Sequence, residues 1–286
     1  MQTNNIHIVA ALIITYNPEP NRLRANVEAV RSQVSKVLIV DNASSNVNEI
    51  RSLLEDYGCD ALYQRENVGI ARALNEGMKY LSTEGYEWVL TLDQDSVIGE
   101  NLVNELMTCA LSDSKCAIAC PDINYEGWTQ KKQSHRQKYQ EIKACMTSAS
   151  LTSIRCWEEV GGYDESYFID YVDNEFCMKL RLAGFKVIRN HNVVLSHMLG
   201  ESGELNLVFA RIRYSHHAPL RYYYMTRNNI AFVDKYRKHL NYPKEVIKIF
   251  YNILMGAFTE HNIETLKYIR LGVIDAGKKK IGRYEN

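Results

Sequence analysis

Long hydrophobic runs are missing from this sequence. No apolar segment approaches the roughly 18 residues that a helix needs to cross a bilayer. The start, Met1 to His7, is polar and lacks the basic and long apolar parts of a secretory signal, and the apolar run at 8–14 is too short to supply them. We therefore expect a cytoplasmic protein, and a peripheral position at the inner face of the cytoplasmic membrane stays open.

Metal-binding and disulfide patterns of cysteine are also missing. The chain has seven cysteines, an odd number, and none of them forms a Cys-x-x-Cys pair. A disulfide framework uses an even number, and structural zinc sites use closely spaced pairs. The sequence therefore predicts free, buried thiols in a reducing compartment.

Glycine-rich phosphate loops are the third absence. There is no Gly-x-Gly-x-x-Gly after the first predicted strand and no Gly-x-x-x-x-Gly-Lys-Ser/Thr anywhere. This argues against a dinucleotide-binding domain and against a P-loop enzyme. A sugar-phosphate nucleotidyltransferase should also carry a glycine-rich loop near its start, and residues 12–20 contain no glycine.

Charge is balanced overall but unevenly distributed. The formal net charge is zero, yet residues 1–205 carry 19 Lys and Arg against 28 Asp and Glu, and residues 206–286 carry 15 against 6. Such an asymmetry predicts a basic surface on the C-terminal part. For that surface, a solvated tail and a weak attraction to anionic lipid headgroups are both open. No nucleic-acid partner is expected.

Strand and helix patterns alternate along the first two thirds of the chain. Short apolar runs predict buried strands, and the segments between them have helical periodicity. The predicted strands are 9–14, 37–40, 61–63 and 88–92, and the predicted helices are 21–33, 47–57 and 70–81. Alternation of this kind predicts an α/β fold with a doubly wound, mostly parallel sheet.

The pattern becomes helical from residue 206, most clearly at 220–236 and 244–258. The second of these helices has an apolar stripe: Val246, Ile249, Phe250, Ile253, Leu254 and Ala257. We expect this stripe to be part of the core. The predicted division is a catalytic domain, 1–205, and a basic helical extension, 206–286.

Polar side chains follow three of the predicted strands. They are Thr15 with Asn17, Asp41 with Asn42, and Asp93 with Asp95. The carboxyl ends of parallel strands lie along one edge of a sheet, where ligands of open α/β sheets bind. Two carboxylates two residues apart suit Mg²⁺ or Mn²⁺, although each cluster taken alone is also typical of an ordinary turn.

A second dense cluster of carboxylates lies between Asp164 and Glu175, with five in twelve residues. Asp173 and Glu175 are predicted at a helix N-terminus, where the helix dipole favours them; alternatively, one of them faces a cleft as a general base. Downstream, His197 ends a predicted strand and is either structural or a metal ligand. Residues 144–153, small and rich in hydroxyl groups, would let a sugar approach the backbone.

Together, these motifs resemble the family 2 inverting glycosyltransferases of GT-A fold, closest to the bacterial rhamnosyltransferases of polysaccharide and O-antigen assembly. The resemblance covers nearly the whole chain. It is carried by the order and spacing of Thr15-Tyr16-Asn17, Asp41-Asn42-Ala43-Ser44, Asn67-Val68-Gly69-Ile70-Ala71-Arg72 with Asn75, Leu92-Asp93-Gln94-Asp95-Ser96, Gly161-Gly162-Tyr163-Asp164-Glu165, the Asp173 region, His197 with Gly200, and Arg227-Asn228.

The resemblance implies a role for individual residues. Asp41 would hydrogen-bond the pyrimidine base of a nucleotide-sugar donor, Asp93 would lie near the ribose, and Asp95 would bind a divalent metal, Mg²⁺ or Mn²⁺, with His197 as a further ligand. Arg72 and Arg227 would contact the diphosphate. The remaining donor-side residues are Thr15, Tyr16, Asn17 and Asn67, and the acceptor-side residues are Ser148, Asp170 and Glu175.

The catalytic base implied by the resemblance is Asp173. The family motif there is Glu-Asp, whereas Val172 precedes Asp173 in this chain, so Asp170 stays open as an alternative. The implied reaction is transfer of a sugar, L-rhamnose from dTDP-rhamnose, to a hydroxyl of a lipid-linked or other growing glycan of the cell envelope. Three alternatives stay open: another UDP- or dTDP-sugar, a sugar-phosphate nucleotidyltransferase, and a non-catalytic glycan-binding protein.

Overall fold

A computed structural model describes residues 9–125, 137–197, 202–207, 210–260 and 262–285. Its strands are β1 Val9–Thr15, β2 Lys36–Asp41, β3 Asp60–Tyr63, β4 Trp88–Asp93, β5 Cys116–Tyr125, β6 Tyr139–Ile142, β7 Ser150–Ser153, β8 Lys186–His197, β9 Ser202–Leu207 and β10 Ala210–Ser215. Its helices are α1 Pro20–Arg31, α2 Val47–Tyr57, α3 Ile70–Thr83, α4 Leu102–Leu111, α5 Ile154–Glu159, α6 Val172–Leu182, α7 Pro219–Lys235, α8 Tyr242–Glu260 and α9 Ile263–Gly277.

Eight strands form one sheet in the order β3-β2-β1-β4-β7-β5-β8-β6. Strands β1 to β4 are parallel to one another, β7 runs antiparallel between β4 and β5, and β8 is parallel to β5 with β6 antiparallel at the edge. The predicted α/β fold with a mostly parallel sheet is confirmed. The register pairs Thr15 with Asp41 and Ile14 with Asp93, so the carboxyl ends of β1, β2 and β4 lie side by side.

The central strands are continuous apolar runs because helices cover both faces of the sheet. Leu12 and Leu38 on neighbouring strands are fully buried. Helix α3 approaches β1 so closely that a Cβ on Gly77 would lie 2.4 Å from Leu12 Cδ1. This tight packing fixes the middle of α3 against β1, whose end carries one of the polar clusters.

The chain divides into two compact units. The first consists of Met1–Asp164 with Asp173–His197, and the second of Glu165–Val172 with Met198–Asn286. The functional division predicted at residues 205 and 206 stays a prediction. By packing, the short segment 165–172 belongs with the C-terminal helices, because Phe168 stacks on Tyr224 at 5.3 Å and the Gly282 N–H donates to the Ser166 carbonyl at 2.8 Å.

The sequence pattern predicted helices from residue 206, and this prediction is wrong for the start of that segment. Strands β9 and β10 pair as an antiparallel hairpin, with Ala210 opposite Leu207, and the helices begin only at Pro219. Helices α7 and α9 then pack closely: a Cβ on Gly272 would lie 2.7 Å from the Tyr223 carbonyl oxygen. Among the described residues, no helix is long and apolar enough to span a membrane.

The apolar stripe of α8 does not form core, contrary to the prediction. Val246, Phe250 and Leu254 are 43%, 68% and 42% exposed. The face of α8 that is buried instead carries Gly256 and Thr259. The sequence pattern showed that one face of this helix is apolar, but an apolar face is buried only where another element covers it.

Candidate active site

A hydrogen-bonded cluster joins the carboxyl ends of β1 and β2. The buried Asp41 carboxylate accepts from the Thr15 hydroxyl at 2.9 Å, the Ser44 hydroxyl at 2.5 Å and the Ser44 N–H at 3.0 Å. The Asn42 N–H in turn donates to the Thr15 carbonyl at 2.8 Å. Three donors on one carboxylate satisfy most of its acceptor positions, and they hold the two strand ends and the following turn in fixed positions.

The location of Asp41 differs from the predicted direct contact with a pyrimidine base. The residue is 0% exposed, and its hydrogen bonds go to Thr15 and Ser44. In this structure, the Asp41 side chain lies beneath the strand-end surface and holds Thr15 and Ser44 in place, but it is not exposed at that surface. Thr15 is likewise fully buried, whereas Tyr16 is 49% exposed and is therefore accessible to a ligand.

The loop after β1 is tied to the loops after β2 and β4. Asn17 has left-handed backbone with φ of 48°, and its side-chain oxygen accepts from the N–H and hydroxyl of Ser45 at 2.7 and 2.9 Å. The Tyr16 N–H donates to the side-chain oxygen of Gln94 at 2.8 Å. Gln94, the middle residue of Asp-Gln-Asp, therefore connects the first polar cluster to the third. The predicted convergence of the three strand ends is present as direct hydrogen bonds.

The end of β4 is held from both sides. The Asp93 N–H donates to Ser148 Oγ at 3.1 Å, and the Ser148 hydroxyl donates to Ser96 Oγ at 2.6 Å. From the other side, the buried Asn26 amide donates to the Asp93 carbonyl at 2.7 Å. Asp93 is half-buried and Asp95 is exposed. The turn that carries the two carboxylates therefore has a fixed backbone and one accessible carboxylate.

These carboxylates suit a divalent metal. Among the residues that the structure describes, no group of three or more His, Cys, Asp and Glu side chains could by itself hold an ion. Mg²⁺ and its analogues are, however, commonly bound by one or two carboxylates together with the phosphate oxygens of a substrate. Asp95 with Asp93 supplies that kind of donor set. The backbone of His197 ends β8, but its side chain lies outside the described residues, so its predicted role as a ligand stays a prediction.

Asn42 and Asn67 position the start of α3. The Asn42 side chain accepts from the Val68 N–H at 2.8 Å, and the Asn67 side chain accepts from the Gly69 N–H at 3.0 Å. Arg72, in the first turn of α3, is exposed, and its Nε pairs with Glu76 Oε1 at 3.1 Å. Exposed ion pairs of this kind contribute little, so the Arg72 guanidinium can turn to a phosphate at small cost.

Asp173 lies at the start of α6 and lines a small cavity. The cavity measures about 10 Å³, roughly the room of one water, and its wall includes Thr147 and Ser150. The Thr147 carbonyl accepts from the Thr91 hydroxyl of β4 at 2.6 Å. The loop that contains Ser148 therefore contacts the carboxylate turn after β4 and also lines the cavity of Asp173.

Two thiols lie in the wall of the same cavity. Cys145 Sγ and Cys177 Sγ are 3.9 Å apart, and the Cys145 contact together with burial raises the pKa of Cys177. All seven cysteines are free, as the sequence predicted. The raised pKa keeps the Cys177 thiol neutral, one helical turn beyond Asp173.

Asp170, the alternative base, lies in the second unit and has a different environment. It pairs with Arg221, with Nη2 to Oδ1 at 3.1 Å and Nε to the two carboxylate oxygens at 3.3 and 3.4 Å. Its backbone and that of Tyr171 are both left-handed, with φ of 63° and 66°. A carboxylate held by two nitrogens of a guanidinium has both oxygens engaged.

Three further predicted site residues are enclosed. Arg227 is 1% exposed and donates to the Gly282 carbonyl at 2.8 Å within the second unit, so the structure does not present its guanidinium to a diphosphate. Glu175 is 0% exposed, and Ser148 is 1% exposed with its hydroxyl engaged by Ser96. Neither of these two offers a surface to an acceptor in this structure.

Asn75 has a positioning role that the sequence did not reveal. Its side-chain oxygen accepts from the Tyr163 N–H at 2.8 Å and from Trp157 Nε1 at 3.1 Å, and its amide donates to the Tyr163 carbonyl at 2.9 Å. Gly162, with φ of 70°, fits beside it because a Cβ there would lie 2.7 Å from Asn75 Oδ1. Asn75 therefore anchors the Gly-Gly-Tyr loop, and Lys179 of α6 donates to the same loop at the Gly162 carbonyl, at 2.5 Å.

Comparison with known proteins agrees with this fold. Residues 10–172 match the glycosyl transferase family 2 model. The chain is 28% identical to the dTDP-rhamnosyl transferase RfbF of Shigella flexneri over 96% of this chain and 98% of that protein.

Two solved structures share the fold at 12% identity. They are the mannosyltransferase PcManGT of Pyrobaculum calidifontis in complex with GDP-Man and Mn²⁺, with a TM-score of 0.61 over 97% of this chain and 88% of that one, and GalNAc-T7 with UDP, GalNAc and Mn²⁺, with a TM-score of 0.62 over 96% and 55%. The predicted resemblance is confirmed, and the chain is a GT-A glycosyltransferase that belongs to family 2.

Proposed function

We propose that this glycosyltransferase moves L-rhamnose from dTDP-rhamnose to a hydroxyl group of a growing cell-surface glycan, with inversion at the anomeric carbon. The observation that carries the donor assignment is the similarity to a protein named as a dTDP-rhamnosyl transferase, which extends over nearly the full length of both chains. The sugar and its acceptor are the proposal; membership of family 2 is the finding on which it builds.

In this proposal, Asp173 is the general base. The acceptor hydroxyl gives its proton to the Asp173 carboxylate while its oxygen attacks the anomeric carbon, and the bond from that carbon to the diphosphate oxygen breaks on the opposite face. One positioned carboxylate is enough for inversion, since no covalent intermediate is formed. The shared loop at Thr147 to Ser150 supports this role, because it contacts both the Asp173 cavity and the end of β4.

The nucleotide and diphosphate would lie along the carboxyl ends of β1, β2 and β4. Tyr16 is exposed there and can pack against a base, while the buried Asp41 keeps Thr15 and Ser44 in place beneath it. Arg72 would contact the diphosphate. A divalent metal held by Asp95, with Asp93 beside it, would neutralise charge on the leaving diphosphate. Arg227, Glu175 and Ser148 are not assigned ligand contacts.

Other donors are the main alternative within the family. The two solved structures that share this fold contain GDP-Man or UDP, so the fold accommodates several nucleotides. A nucleotidyltransferase and a non-catalytic glycan-binding protein do not agree with the family match. The donor is therefore the question that experiment must answer first.

The test is a screen of dTDP-rhamnose, UDP-glucose and GDP-mannose for nucleotide release with and without Mn²⁺. We expect release from dTDP-rhamnose, dependence on the metal, and a loss of about 100-fold in Asp95→Ala, because stabilisation of the leaving group contributes several kcal/mol. Glu100→Ala, which removes another exposed carboxylate near the same turn, is the matched control and should retain full activity. Turnover of a UDP- or GDP-sugar without binding or turnover of dTDP-rhamnose would overturn the donor assignment.

A further inference from the structure

The outer face of α8 is an exposed apolar surface. Ile247, Phe250, Leu254 and Phe258 have spacings of three, four and four residues, so they lie on one side of the helix, and they are 70%, 68%, 42% and 55% exposed. On the opposite side, Gly256 packs so closely on Tyr222 that a Cβ would lie 2.8 Å from Cε1 of the ring. Helix α8 is therefore fixed by its small residues and presents its large apolar ones outward.

Basic side chains border this face. Lys244 and Lys248 are exposed and lie one turn apart along one flank of this outer face of α8. The acidic residues of α8 are less exposed: Glu260, for example, accepts from the Tyr222 hydroxyl at 2.7 Å. The exposed charge beside the apolar stripe is therefore positive.

Helix α9 repeats this combination of apolar and basic residues. Ile263 is 85% exposed, Leu266 is 48% exposed and Val273 is 42% exposed. Lys267 and Arg270 are exposed on the same side of the helix. Beyond α9, Ile281 is 64% exposed next to the basic run at 278–280. Exposed aliphatic side chains interleaved with Lys and Arg are typical of helices that lie in the headgroup region of a membrane.

We propose that the outer face of α8 and α9 docks on the surface of a bilayer that contains anionic lipids, with the helices lying in the interface. The apolar side chains would enter the headgroup boundary, and the lysine and arginine side chains would extend to the lipid phosphates. The surface is inferred from exposure and charge alone, and it does not depend on the donor or the acceptor of the proposed function.

Self-association explains the face less well. A helix of 19 residues is about 28 Å long and 10 Å wide, which gives roughly 280 Å² of flat contact, whereas a stable interface buries about 800 Å² on each partner. Adding α9 would enlarge the contact, but a two-fold interface brings the same patch against itself. Lys267 and Arg270 would then face like charges, while an anionic bilayer would attract them.

The test is co-sedimentation of the full chain with vesicles of phosphatidylcholine alone or with about one quarter phosphatidylglycerol. We expect binding to the anionic vesicles that weakens as salt is added. The double variant Ile247→Asn with Phe250→Asn should bind at least about tenfold more weakly, because it removes the two most exposed apolar side chains of the outer face of α8. Lys244→Gln with Lys248→Gln should lose about fivefold for each lysine.

A matched control is Leu111→Asn, which makes the same kind of change at a leucine that is 60% exposed at the end of α4. It should bind vesicles like the unmodified chain. Failure of the unmodified chain to bind anionic vesicles would overturn the proposal. So would a dimer, seen by sedimentation without lipid, that the Ile247/Phe250 variant converts to a monomer.

Nucleotide release from the donor separates this inference from the proposed function. The α8 variants carry all strand-end residues intact and should release nucleotide at the normal rate without vesicles. An α8 variant that loses vesicle binding but releases nucleotide at the normal rate would support the docking face without bearing on the proposed function. Normal vesicle binding without release from any donor would count against the proposed function and leave the docking face standing.

Discussion

Removal of the Ser44 hydroxyl is the sharpest test of the strand-end cluster. This hydroxyl donates to the buried Asp41 carboxylate at 2.5 Å and accepts from the Asn17 N–H at 2.8 Å. A hydrogen bond to a charged group contributes about 1.5–3 kcal/mol, and a carboxylate that loses a donor in a buried site cannot replace it with water. We therefore expect Ser44→Ala to lower the free energy of unfolding by about 2–3 kcal/mol.

The neighbouring serine supplies the control. Ser45 is exposed, and its hydroxyl donates to the side chain of Asn17 at 2.9 Å, so Ser45→Ala should cost no more than about 0.5 kcal/mol. In thermal unfolding, with about 2–4 °C per kcal/mol for a chain of this size, Ser44→Ala should lower Tm by about 5–10 °C and Ser45→Ala by about 1–2 °C. Equal shifts in the two variants would refute the view that Asp41 organises these strand ends.

Three further predictions test the loop, an ion pair and the metal. In a urea titration, Gly162→Ala should lower the free energy of unfolding by about 2–3 kcal/mol, because it places a Cβ on left-handed backbone and against Asn75. Gly161→Ala is the control: its φ is 75° but the space around it is open, so it should cost less. The hydrogen bond from Lys186 lowers the pKa of Asp113, so its contribution to stability is present above the unfolded pKa of about 4 and is lost as the pH falls through the folded value. Asp113→Asn should remove that part of the acid slope, and an unchanged slope would contradict it. A chelator should abolish nucleotide release without lowering Tm, and added Mn²⁺ should restore it; release that persists in the chelator would argue against Asp95 as a metal ligand.

The arrangement of the sheet could be predicted because it depends on local pattern. Continuous apolar runs gave β1, β2 and β4 close to their observed ends, and parallel pairing alone predicts that Thr15, Asp41 and Asp93 converge. The hairpin β9–β10 was missed, although the alternation of apolar and polar residues at 210–215 is a strand signal. The hairpin was missed because its strands have only six residues each and a helical pattern follows them.

The details of the site could not be predicted in the same way. Whether Asp41 faces a ligand or is enclosed depends on Ser44 and Thr15 as partners, and the anchoring by Asn75 depends on a loop 88 residues away. These are contacts between distant parts of the chain. The same reason applies to α8, where the apolar stripe is visible in the sequence but its exposure is not.

The measurement that tests the central claim most directly is the rate of glycosyl transfer in Asp173→Asn beside Asp170→Asn. If Asp173 takes the proton of the acceptor hydroxyl, Asp173→Asn should lower kcat by about 100- to 10,000-fold and leave the donor KM nearly unchanged, while Asp170→Asn should retain most of the activity. Full transfer by Asp173→Asn, or its loss in Asp170→Asn alone, would contradict the account.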